Sequence, residues 1–153
     1  MLKNKSVFLV GGLVVVVLGL FIVPSLLSGN DSNDTSDVSG VYCIYSEVFH
    51  IHPHLQILVD GVEEIVPANI GIELGCTREL HTHEPDGEIH IEAAKDRGYK
   101  FSDFLSVWGK SLERSGYTLK MTVDGAETTD SGFVMKDKQQ IVLNYTTLAA
   151  EPE

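Results

Sequence analysis

All six histidines of this 153-residue chain, His50, His52, His54, His81, His83 and His90, fall between Phe49 and Glu92. Within that stretch His50, His52 and His54 stand two apart, and so do His81 and His83. Residues two apart on an extended strand share a face. The first run reads FHIHPHLQILVDG and the second ELHTHEPDGEIHIEA, so imidazoles alternate with Ile51, Leu55 and Ile57 and lie beside Ile89 and Ile91. This pattern predicts strands with one imidazole face and one apolar face. Pro53 lacks the N–H needed for a ladder bond, which puts the first strand at an edge or turns the Pro53 nitrogen outward.

Turn chemistry decides whether the two runs meet. Asp-Gly between strands is the signature of a two-residue type I′ turn. At Asp86-Gly87 such a turn would set His83 opposite His90 and His81 opposite Glu92, with Ile89 and Ile91 on the reverse face. A three-residue loop would shift the register by one and send His90 to the other side. The two-residue turn is the expectation, because it keeps both isoleucines on the apolar face. Asp60-Gly61 predicts a hairpin joining the first strand to a second that begins near Glu63.

The period then changes. Phe101, Phe104, Leu105, Trp108 and Leu112 mark one stripe of an amphipathic helix over residues 101–116, with Ser102 as N-cap and Gly116 as the stop. The stripe reads as core. Beyond it, YTLKMTVDG alternates, Asp124-Gly125 is a third turn, and a last strand centres on Ile141, Val142 and Leu143. Hairpins, one helix and further strands predict an α+β fold: a small, mostly antiparallel sheet with one helix packed on it. The C-terminal third, VDG followed by MKDKQQIVLNY, resembles β-grasp domains, in which a sheet wraps one helix.

Outside this domain the composition shifts. Residues 1–27 carry Lys3 and Lys5 and then an uncharged apolar run of about 20 residues, long enough to cross a bilayer. An uncleaved transmembrane anchor is expected, a cleaved signal peptide being the alternative. The lysines place its short N-terminal side in the cytoplasm and residues 28 onward outside. Residues 28–40, SGNDSNDTSDVSG, are too polar to fold and form a disordered tether. Residues 41–148 are then a single extracytoplasmic domain, and 149–153 a tail. The net charge of −11 argues against nucleic acid and against anionic lipid as partners. In an oxidising compartment Cys43 and Cys76 are expected to form a disulfide, with thiolate ligation of a soft metal or a redox pair as alternatives.

Neutral imidazole is the commonest metal ligand. His50, His52, His54, His81, His83, His90 and Glu92 are the candidate ligands, more than one ion needs, so two ions are an option. Mixed imidazole and carboxylate donors suit Zn, Cu(II), Ni or Fe(II), and Cu(II) or Zn(II) is the expectation, the affinity order favouring Cu(II). A donor surplus points to metal capture or delivery. The alternatives are a metalloenzyme, with Glu84, Glu88 or Glu92 as base for metal-activated water, and a tethered interaction or pH-responsive domain without metal. Gly75, His81-Thr82-His83 and Glu88 resemble the first cupin motif, which implies His81, His83 and Glu88 as ligands; where that motif closes with glycine, this chain has Lys95. Paired H-x-H strands are also similar to those of the much larger α-carbonic anhydrases, which hold a catalytic zinc. HPHLQI, HTHEPDGEIHIE and FLSVWG together resemble a set of membrane-anchored exported proteins of archaea and bacteria without a family name.

Overall fold

Two of the three Asp-Gly pairs make the turns expected of them. In the computed structural model, which describes residues 40–149, Asp60 and Gly61 both take positive φ (50° and 80°) and close a hairpin between β2 (His54–Val59) and β3 (Val62–Glu64). Asp124 and Gly125 (51° and 80°) do the same between β8 (Tyr117–Val123) and β9 (Ala126–Thr128). Positive φ at both central residues matches the right-handed twist of the flanking strands. The last strand, β10 (Gln140–Thr147), lies between the hairpins, parallel to β2 and antiparallel to β8. The five-stranded sheet therefore runs β3-β2-β10-β8-β9.

A second, three-stranded sheet carries the histidines. It is built from β1 (Phe49–Ile51), β6 (Leu80–His81) and β7 (His90–Ala93) in the antiparallel order β1-β7-β6. A short hairpin of β4 (Ile72–Glu73) and β5 (Cys76–Thr77) comes just before β6 in the chain. The single helix among the described residues, α1 (Phe101–Trp108), follows it. The fold is thus α+β, mostly sheet with one helix, although the strands divide among three sheets rather than forming one. None of the described helices is long and apolar enough to cross a membrane. The expected anchor and nearly all of the tether lie outside the described residues.

The expected single His50–His54 strand is divided, and Pro53 is the reason. Lacking an N–H, Pro53 keeps only its carbonyl, which accepts from the Ile89 amide (2.9 Å). The His54 amide turns to the Gln139 carbonyl (2.8 Å), on the β10 side. The chain therefore leaves the small sheet as β1 and enters the large one as β2. Leu55 and Ile57 of β2, Ile141 and Leu143 of β10, and Met121 of β8 project into one buried cluster. Phe101, Phe104 and Leu105 of α1 complete it, together with Leu80, Ile89 and Ile91 from the small sheet and its approach. Burying apolar groups from both sheets in one core fixes the angle at which the histidine face is presented.

The helix is shorter than its apolar stripe. Gly109 adopts a left-handed C-cap (φ 69°), with Gly109 N–H donating to the Ser106 carbonyl (3.1 Å) and Lys110 N–H to Leu105 (3.0 Å). That paired closure ends the helix seven residues before Gly116. Lys100, not Ser102, occupies the N-cap, and the Asp103 carboxylate accepts from its backbone N–H (3.0 Å). Leu112 packs on the core from the loop beyond, where its carbonyl accepts from the Tyr145 hydroxyl (3.0 Å).

Candidate metal centre

The central strand β7 supplies His90 and Glu92, two apart and so on one face. Its neighbours bring their own donors to that face, since residues paired across antiparallel strands share it. His50 of β1 pairs with Glu92, and His81 of β6 pairs with His90. The reverse face carries Ile89, Ile91 and Leu80, all fully buried. Imidazoles on one side and aliphatics on the other is the arrangement expected from the alternation.

The register differs from that expectation by two residues. Asp86 and Gly87 do not close a two-residue hairpin; residues 82–89 form a longer connection, and His81 faces His90 instead of Glu92. A shift of two preserves facing, which is why the donors still converge. Gly87 serves a different purpose. At φ 87° it presses against the Leu55 carbonyl, where a side chain would collide, and its own carbonyl accepts from the Leu55 amide (2.8 Å). Asp86 caps the turn internally, its carboxylate accepting from the Glu88 amide (2.9 Å).

His81 is the fixed point of the cluster. Its side chain is fully buried, and its Nδ1–H donates to the Arg78 carbonyl (2.8 Å). That bond leaves the lone pair on Nε2, the ring orientation typical of a metal-binding histidine. Arg78 is itself held: its guanidinium donates to Glu73 (3.0 Å) and to the Val41 carbonyl (3.3 Å), and its backbone bridges to Cys43. Cys43 and Cys76 form a disulfide, as expected, and so tie this support to β5. Burial pushes the His81 pKa down to about 4, against the upward pull of Glu92 and the Arg78 carbonyl. The ring is therefore neutral, and able to ligate, at neutral pH.

His83 Nε2 lies 3.1 Å from His81 Nε2, and Glu92 Oε1 lies 3.8 Å from it. Two imidazole nitrogens bound tetrahedrally to one zinc at ordinary bond lengths stand about 3.3 Å apart. His90 Nδ1 is buried without a hydrogen-bond partner, 3.4 Å from Glu92 Oε1. Its pKa is also lowered, first by burial and then by His83 and His52. A buried orphan nitrogen is costly, and an ion shared with Glu92 would satisfy it. Donor atoms of His81, His83, His90 and Glu92 all lie within 4.8 Å of one another. The residues are placed to hold a metal ion.

His50 and His52 lie beside this group, with ring centroids 4.4 Å apart and His52 4.7 Å from His90. His54 is the exception among the expected ligands. Carried into the large sheet by the switch at Pro53, it sets its Nε2 2.9 Å from the Asp86 carbonyl and braces the 82–89 connection. Glu88, implied by the cupin-like pattern, lies 3.4 Å from the far nitrogen of His90, so Glu92 takes the carboxylate position beside His81 and His83. Glu47 was not foreseen. It joins His50 and Glu92 in a further donor group because the chain bends ahead of β1, which spacing alone does not reveal.

Comparison of the chain with protein-family models, curated proteins and solved structures finds no match in any of the three.

Proposed function

We propose that this chain is a membrane-anchored, extracytoplasmic protein that binds a transition metal, Cu(II) or Zn(II), for capture or delivery. The observation that carries this reading is the convergence of His81, His83, His90 and Glu92, with His81 locked into the ligating tautomer by Arg78. Four protein donors fill a tetrahedral shell, which favours holding an ion over activating a bound water. Borderline imidazole with one carboxylate suits Zn(II), and the affinity order favours Cu(II) where that ion is present.

Location rests on the sequence. The apolar run within residues 1–27, preceded by Lys3 and Lys5, supports an anchor with its N-terminus in the cytoplasm. The disulfide supports an oxidising compartment for the domain. The β-grasp likeness is supported by the parallel β2–β10 pair at the centre of the large sheet, with the β2–β3 hairpin on one side, the β8–β9 hairpin on the other, and α1 in the connection between the hairpins. The test is metal retention. Full chain prepared in detergent without a histidine tag should keep Zn(II) or Cu(II) through dialysis into metal-free buffer, measured by elemental analysis. A chain that keeps neither ion overturns the reading.

A further inference from the structure

The donors do not end with the four that surround His81. On the solvent side of Glu92, His50 is flanked by two carboxylates: Nδ1 lies 2.5 Å from Glu47 Oε1 and Nε2 lies 3.2 Å from Glu92 Oε1. One donor atom each from Glu47, His50 and Glu92 lie within 4.8 Å of one another. Glu92 Oε1 meanwhile faces His90 Nδ1 and His81 Nε2 at 3.4 and 3.8 Å, so one carboxylate addresses imidazoles on both sides. His52 stands next to His50, and the donor atoms of His50, His52 and His90 again lie within 4.8 Å of one another.

We propose that the face holds a second divalent transition-metal ion, bound by Glu47 and His50 and sharing Glu92 with the first. This rests on the reading of the His81 group as a metal site and extends it to a pair. The two positions differ in exposure. The side chains of Glu47 and His50 are 49% and 36% exposed, whereas His81 is fully buried. The outer position exchanges with solvent and the inner one retains, with Glu92 as the group an ion passes between them. That is a route for loading a buried site through an accessible one, and it accounts for a donor set larger than one ion requires.

Zn(II) titrated into the tag-free full chain, with a chromophoric chelator as competitor, measures stoichiometry and affinity together. Wild type should take up two equivalents, the second bound at least tenfold more weakly. The Glu47→Gln/His50→Ala double variant should take up one. Because that variant could fold poorly, Cu(II)-loaded wild type gives a second readout: its electron paramagnetic resonance signal should broaden between one and two equivalents as the ions couple through Glu92. Saturation at a single equivalent in wild type, with an uncoupled Cu(II) spectrum, overturns the second site and leaves the first standing. No uptake at all overturns both.

Discussion

Acid should weaken the metal-free protein through His81. Burial holds this ring near pKa 4, against 6.5 for an ordinary imidazole. As pH falls below 6.5, the unfolded chain takes up a proton that the folded chain refuses, so stability is whole above that point and is lost as pH drops toward 4. At about 1.4 kcal/mol per pH unit the loss reaches at most about 3 kcal/mol, about 2 kcal/mol of it by pH 5. Urea unfolding followed by Trp108 fluorescence, in detergent and chelator, measures this. The control is His81→Asn, whose amide can donate to the Arg78 carbonyl in place of Nδ1–H but takes up no proton. His90, shifted the same way, is present in both proteins and cancels in the difference. The wild-type midpoint should therefore fall faster than that of His81→Asn between pH 6.5 and 5. Parallel curves would show that His81 is not held neutral by burial.

Other perturbations separate the site from its supports. Structural zinc sites bind with about 10–16 kcal/mol, roughly 3 kcal/mol for each of four donors, so His83→Ala should weaken the tight site about 100-fold in a chelator competition. His54→Ala, which removes an imidazole outside the donor groups, should change that affinity by no more than about twofold. Gly87→Ala, whose methyl would run into the Leu55 carbonyl at positive φ, should cost about 2 kcal/mol or more in thermal unfolding. Replacing Cys43 and Cys76 by serine opens a loop with a sequence separation of 33 and should cost about 3–4 kcal/mol in the same assay.

What was legible in the sequence was periodicity. The alternation of His50, His81, His90 and Glu92 with aliphatic residues is a local property, and burial of Leu80, Ile89 and Ile91 enforces it. Asp60-Gly61 and Asp124-Gly125 were readable because both glycines stand clear of other segments, while Asp60 accepts from Thr147 and Asp124 from Gln140 without disturbing the turn. Asp86-Gly87 carries the same signal, yet its glycine is committed to close approach by Leu55, a contact between segments some 30 residues apart in the chain. The departure of His54 has the same origin: Pro53 announces an interrupted ladder but not which sheet takes the strand next. The end of α1 was misplaced because Leu112 is apolar at helical spacing, although a left-handed cap at Gly109 precedes it. Glu47 needed a bend that leaves no periodic trace.

Isothermal titration of Zn(II), and separately of Cu(II) with a competing chelator, into tag-free full chain at neutral pH bears most directly on the metal centre. A dissociation constant of about 10⁻⁷ M or tighter, weakened in His83→Ala and not in His54→Ala, is the expected result. Binding no tighter than about 10⁻⁴ M, or binding indifferent to His83, would mean that these imidazoles share a face without sharing an ion.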